Sequence, residues 1–337
     1  KFDFLGLTTL TILDWTLRYV RQLDPTSTLR LDTLPLDDKK TYDLMCEGRT
    51  TGVFQLESTG MTKWLVQMKP QTLDNIVAMV ALFRPGPMEF IPDYISRMHG
   101  EAEVEYRHPA LEPIFGDTYG IPLYQEQLMR AAVELAGYTP SESDELRKAI
   151  SKKKKEDIEK HRAKFVKGAV EKGMDQSIAD AIYMDWEEFA RYGFNKSHAA
   201  DYGVIAVQTA YLKSTYPAEY MAATLTASAS QTEKVALYVA DARSMGVPVL
   251  APEINASFWD FAIEDIEITT NQPTPGDILA AEDDDAFEPG VDRVDLGHGG
   301  VEGLGDSRER RLEWKGDEDL AAGLGLSGDT LESAAAG

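Results

Sequence analysis

Thr72-Leu-Asp-Asn-Ile-Val-Ala-Met-Val-Ala-Leu-Phe-Arg-Pro-Gly-Pro87 decides the fold class. A threonine able to cap backbone N–H groups precedes an apolar run, and a Pro-Gly-Pro cluster that cannot continue a helix stops it. The stretch predicts a buried helix over Leu73–Phe83 with Arg84 held on a stiff loop. The same grammar recurs outward in both directions. Leu10, Leu13, Leu17 and Val20 stand at helical spacing within Thr9–Arg21. Asp37-Asp38 opens a short helix through Tyr42 and Met45 that stops near Gly48, and Ser58 caps one running past Trp64. C-terminal to the loop, helices are predicted from Tyr124 to Ala136, from a cap at Ser141 or Ser143, over Glu156–Lys172 and over Gln176–Phe189. Ser197 is the expected cap of a helix from Ala199 to Tyr216; Pro217 starts another, and Thr232–Met245 closes the series. Thr51–Glu57 alternates enough for a short strand. The fold expected is mainly α, with a few short strands.

With 337 residues, 43% hydrophobic and 27% charged, the chain is long enough for two domains and ordinary for a globular protein. No apolar run approaches the about 18 residues of a membrane span. The single cysteine, Cys46, excludes an internal disulfide and a cysteine zinc site. The reducing cytoplasm is the compartment expected, and no membrane partner. The chain opens at Lys1 with neither Met nor leader, which reads as a piece of something longer. Net charge is −23, but its distribution matters more. From Asp265 onward 19 acids face 5 bases, with two aromatics, Phe287 and Trp314. That tail, 266–337, is expected to be disordered, with a weak helical pattern near Glu309–Trp314. Residues 147–167 hold ten Lys or Arg and three acids, a local field that suits a polyanion despite the overall charge.

Dinucleotide fingerprints, P-loops, HExxH and GxSxG are missing, and the five histidines lack metal-ligand spacing. Four features carry chemistry. Lys1-Phe-Asp-Phe-Leu5 alternates like a half-buried edge strand, so Asp3 is either a surface carboxylate or one ligand of a divalent metal. Arg84, stiffened by its prolines, is either solvated or set to meet a phosphate or carboxylate. Arg147 and Lys148, followed by Lys152, Lys153, Lys154 and Lys155, form either a solvated charge run or a phosphate-neutralising patch. No acid interrupts 146–155, so these cations are expected to be locally unpaired. Arg191-Tyr-Gly-Phe-Asn-Lys-Ser-His198 joins aromatics and donors at a helix start. It suits either an inter-helix loop or a nucleotide with its phosphates.

Taken in order, Lys1-Phe-Asp-Phe-Leu-Gly-Leu7, Gly52-Val-Phe-Gln-Leu-Glu-Ser58, Leu82-Phe-Arg-Pro-Gly-Pro87, Tyr124-Gln-Glu-Gln-Leu128, Leu146-Arg-Lys-Ala149, Tyr192-Gly-Phe-Asn-Lys-Ser-His198 and Tyr216-Pro-Ala-Glu-Tyr220 closely resemble the bacterial C-family replicative DNA polymerases, the DNA polymerase III alpha subunits. The resemblance covers about residues 1–265. It implies the end of a palm domain over 1–30, a helical fingers domain over 31–265 and a degenerate tail beyond, with a residual palm strand at the N-terminus. It further implies two-Mg²⁺ nucleotidyl transfer from a dNTP to a primer 3′-hydroxyl in DNA replication. By resemblance Asp3 is one of three metal aspartates and Lys1 lies beside the primer end. Arg147 and Lys148 meet the triphosphate, and Tyr192, Asn195, Lys196, His198 and Arg84 form the nucleotide pocket; Lys152–Lys155 lie toward DNA. Partners implied are primer–template DNA, dNTP and, for the intact protein, a sliding clamp and a proofreading exonuclease subunit. The intact 193–198 loop resembles the replicative rather than the error-prone members.

The family's Asp-x-Asp strand has no counterpart in this chain, so the isolated chain is expected not to polymerise DNA. Arg293–Gly305 echoes the Gly-rich segment preceding a helix-hairpin-helix module, yet Glu302 replaces an expected lysine. A disturbed reading frame or artificial terminus after Asp265 is the expectation there. From another class, a non-catalytic nucleic-acid-binding helical module, or a remnant without a role, fits the same residues.

Overall fold

The computed structural model describes residues 6–152, 155–189, 193–252, 260–265 and 310–313. Residues 1–5, where the palm strand is expected, and most of the acidic tail lie outside them. In chain order the α-helices are α1 (Thr8–Leu23), α2 (Lys39–Cys46), α3 (Thr59–Met68), α4 (Leu73–Leu82), α5 (Ile91–Met98), α6 (Glu112–Phe115), α7 (Gln125–Ala136), α8 (Pro140–Ser151), α9 (Lys155–Glu171), α10 (Gln176–Phe189), α11 (Lys196–Thr215), α12 (Pro217–Ser228) and α13 (Thr232–Ser244). The strands are β1 (Val249–Leu250), β2 (Ala262–Asp265) and β3 (Arg310–Glu313). The described residues are mainly helical, as the sequence predicts. None of their helices is long and apolar enough to cross a membrane.

Two compact units emerge. The first takes the described residues of 1–13 and 24–216, the second those of 14–23 and 217–337. The first unit holds two cores. One gathers α2, α3, α4, α5 and α11 around Met45, Leu65, Met68, Ile76, Met79 and Val207. Its tightest seam is α4 against α11, where a Cβ on Gly203 would stand 2.8 Å from Val77 Cγ2. The other core packs α7 to α10 around Leu128, Leu146, Phe165, Tyr183 and Trp186. Phe165 and Trp186 meet edge-on at 4.6 Å, a geometry worth about 0.5–1.5 kcal/mol beyond burial. Here Gly168 of α9 lies against the backbone of Ala136, and Lys172 Nζ donates to Glu134 O (2.7 Å), covering a carbonyl left open at the end of α7.

In the second unit, a three-stranded sheet runs in the order β1-β3-β2, β1 parallel and β2 antiparallel to β3. Leu312 stands opposite both Val249 and Ile263. Phe261 is buried there, its N–H donating to Thr226 Oγ1 (3.1 Å) and its carbonyl accepting from Tyr19 (2.9 Å).

Several local expectations change. Residues 51–57 form turns, not a strand. Gly52 (φ 70°) and Gln55 (φ 62°) reverse the chain, and both Val53 and Leu56 point inward. The turns are held from α11: Thr209 Oγ1 accepts the Phe54 N–H (3.1 Å), and the buried Lys213 Nζ donates to Arg49 O (2.8 Å) and Thr51 O (2.7 Å). Thr139, not Ser141 or Ser143, caps α8, because Glu142 closes a capping box onto the Thr139 N–H (2.9 Å). Asn195, not Ser197, caps α11; its Oδ1 takes both the His198 N–H and the Ser197 hydroxyl at 2.8 Å. Leu10 faces outward at 46% exposure while Leu13, Leu17 and Val20 are buried. Residues 310–313 pair as a strand between two others rather than continuing a helical pattern.

Candidate nucleotide-binding site

The site is built where two helices begin. Tyr124 and Phe194 form a parallel bridge: Phe194 N–H donates to Leu123 O (3.0 Å), and Gln125 N–H donates to Phe194 O (2.9 Å). Gln127 anchors the start of α7, accepting the Tyr124 N–H (2.9 Å) and donating to Thr118 Oγ1 (2.8 Å). Gln125 Nε2 donates to Gly193 O (3.0 Å), and Glu126 accepts the Lys196 N–H (2.9 Å). Residues 193–196 are thereby fixed to α7 before α11 begins.

Around this loop the side chains converge. The Arg84 guanidinium lies 4.3 Å over the Phe194 ring while its Nε donates to Ala81 O (2.8 Å), and burial pushes its pKa down. The ring row continues from Phe194 to His198 (5.6 Å), Tyr202 (4.5 Å) and Phe54 (5.2 Å). Lys196 Nζ stands 5.3 Å over the Tyr124 ring and 3.8 Å from Asp117. Arg84, Asn195, Lys196 and His198 therefore share one place: a cationic, aromatic-lined loop at a helix start, able to take a phosphate and a base face.

Arg147 and Lys148 ride on α8, whose Leu146, Ala149 and Ile150 belong to the second core, and meet a different partner. Asp144, one turn upstream, accepts from Arg147 Nη2 (2.7 Å) and Lys148 Nζ (2.6 Å). The Lys148 and Arg147 donors hold its carboxyl below the usual aspartate range. The expected lack of local pairing is thus wrong: the acid sits just outside the 146–155 window. Further along, Arg162 pairs with Asp180 (3.0 Å), Lys164 with Glu142 and Lys167 with Glu171 (3.9 Å). Much of the +7 field is thus answered by carboxylates. Lys152 follows α8, exposed.

Residues 9–173 match the family described as the bacterial DNA polymerase III alpha subunit finger domain. DNA polymerase III subunit alpha of Thermus aquaticus is 50% identical over 273 residues, 80% of this chain and 22% of that protein. The chain belongs to the bacterial DNA polymerase III alpha family. The Pseudomonas aeruginosa and Deinococcus radiodurans alpha subunits are 45% and 47% identical over 79% and 80% of the chain. The chain spans about a fifth of these alpha subunits' lengths (22%, 23% and 21%).

Of the residues expected to work in a DNA polymerase III alpha subunit, Lys1, Asp3, Tyr192, Lys153 and Lys154 lie outside the described residues, as does the side chain of Lys155. Among the described residues no three acid, histidine or cysteine side chains gather where one metal ion could reach them. The sequence reading missed Asp144, Asp117, Gln125, Glu126, Phe54 and Tyr202. Asp144 carried a readable signal, standing three and four residues before its cations on a helix. Gln125 and Glu126 lie inside a quoted motif, but their partners are some seventy residues away.

Proposed function

We propose that this chain is the nucleotide- and template-binding fingers, with the end of the palm, of a replicative DNA-directed DNA polymerase. In this proposal residues 1–30 close the palm, 31–265 are the fingers and 266–337 a tail. The reaction is attack of a primer 3′-hydroxyl on the α-phosphorus of a dNTP, with pyrophosphate leaving. The observation that supports the reading is the gathering, at the start of α11, of Arg84 and His198 around Phe194 and of Lys196 over Tyr124, which Phe194 bridges. Phosphate charge would settle against Lys196 and the planar Arg84, and a base against the Phe194–His198–Tyr202 row. Arg147 and Lys148, preset by Asp144, would meet the outer phosphates, with Tyr192 beside the base, Lys1 near the primer end and Lys152–Lys155 toward DNA.

Mg²⁺, when bound, supplies charge stabilisation at the phosphates. Asp3 is its proposed ligand by resemblance. A sliding clamp, a proofreading exonuclease subunit and a cytoplasmic setting belong to the same proposal for the intact protein.

The test is binding of fluorescent, chain-terminated primer–template to the 337-residue chain, with and without the complementary dNTP. Binding should tighten with the correct dNTP, and Arg84→Ala or Lys196→Ala should cut that gain by about tenfold, the worth of one charge-assisted hydrogen bond. Binding that ignores dNTP and falls steeply with salt would instead favour a non-catalytic nucleic-acid module. Absence of binding defeats both.

A further inference from the structure

Glu126 and Gln125 take no part in the phosphate contacts just proposed, yet they hold the loop that makes them. Glu126 Oε2 accepts the first N–H of α11, that of Lys196 (2.9 Å), and Gln125 Nε2 donates to Gly193 O (3.0 Å). Asn195 Oδ1 caps α11 through the His198 N–H (2.8 Å), which leaves the Lys196 N–H for a second acceptor. What Glu126 adds is location. It rides on α7, whose Leu128, Ala131 and Leu135 belong to the second core, whereas Ala199, Ala206 and Val207 of α11 belong to the first. The carboxylate therefore ties the core that carries Arg147 and Lys148 to the core that carries Arg84 and Lys196. Being half-buried and charged, it makes a stronger bond than a neutral acceptor would, and it sits where the helix dipole favours an anion.

We infer that Glu126, assisted by Gln125, is a positioning residue that sets the spacing between the two cation groups gripping a triphosphate. The inference rests on the nucleotide-binding reading above and deepens it. A monophosphate, met by one group only, does not sense that spacing; a triphosphate spanning both does. The effect of losing Glu126 is therefore selective for phosphate-chain length, which general loosening of the loop would not produce.

The experiment compares the parent chain with Glu126→Ala and Glu126→Gln, each with chain-terminated primer–template. It measures affinity for the complementary dNTP and dNMP, and amide exchange at residues 193–198. In Glu126→Ala the dNTP affinity should fall about tenfold while the dNMP affinity holds, and exchange at the Lys196 N–H should rise about tenfold. Glu126→Gln keeps an acceptor oxygen and should restore most of both. Unchanged exchange at Lys196 in Glu126→Ala overturns the inference. So does an equal fall for dNTP and dNMP, which is what a purely structural role predicts. A parent chain that binds neither nucleotide defeats the underlying reading and takes the inference with it; the exchange measurement, which needs no nucleotide, tells that failure from the other.

Discussion

Gly168→Ala should destabilise the first unit, although alanine is the better helix former. A Cβ at Gly168 would lie 2.1 Å from Ala136 O and 3.0 Å from Ala136 C, whereas Cβ contacts essentially never fall below 3.0 Å. Helix α9 must then withdraw by about 0.9 Å from α7 to restore the shortest tolerable contact. The obstacle is backbone and cannot rotate aside. Withdrawal loosens the packing around Phe165 and Ala169, both fully buried, and pulls Lys172 from Glu134 O. Overpacking costs about 1–3 kcal/mol, a lost hydrogen bond about 1 kcal/mol, and the gain in helix propensity returns about 1 kcal/mol. The net is a loss of about 2 kcal/mol, read as a lower urea midpoint in circular dichroism. Two companions calibrate it. At Gly203 the nearest atom is a Val77 methyl at 2.8 Å, and at Gly60 it is the Phe83 ring edge at 3.0 Å, which can turn. Gly203→Ala should fall between, and Gly60→Ala should be close to neutral. A Gly168→Ala chain as stable as its parent would refute the close seating of α9 on α7.

Asp144→Asn should release Arg147 and Lys148, steepening the salt dependence of primer–template binding by about 0.9 in log–log slope for each cation that gains a phosphate; an unchanged slope means Asp144 does not hold them in solution. Glu142, with Lys164 as its main partner and the Thr139 cap as the next, has its pKa pulled from 4.5 to about 2. A carboxylate depressed on folding contributes stability above its unfolded value, and that contribution is lost as pH falls from about 4.5 to about 2. Glu142→Gln should flatten this part of the acid unfolding profile; identical profiles would discard the linkage.

The helices were legible wherever a cap and an apolar period coincided, as at Ser58 with α3 and Thr72 with α4. Caps failed where two candidates stood within a few residues. Between Thr139 and Ser141 or Ser143, only the reach of Glu142 back to the Thr139 N–H decides, and between Asn195 and Ser197 the carboxamide reaches the His198 N–H. The 51–57 turns were hidden because Gln55 takes a left-handed conformation that its residue type does not announce. At the site, residue chemistry and resemblance together named Arg84, Asn195, Lys196 and His198. Local composition could not show that Glu126, on another core, holds the Lys196 backbone, and a charge tally begun at residue 146 passed over Asp144.

Helix α11 has 20 residues, about 30 Å at 1.5 Å per residue. One end carries the Asn195 cap and His198; near the other, Lys213 grips the carbonyls of Arg49 and Thr51. Such a rod behaves as an axle with a fitting at each end. A twist delivered at residues 195–198 meets the α4 seam along the rod, the lysine near its end and, through Thr209, the 49–57 turns. A spectroscopic label at exposed Gln55, whose neighbour Phe54 ends the ring row that starts at Phe194, would therefore report on what the 193–198 loop is holding.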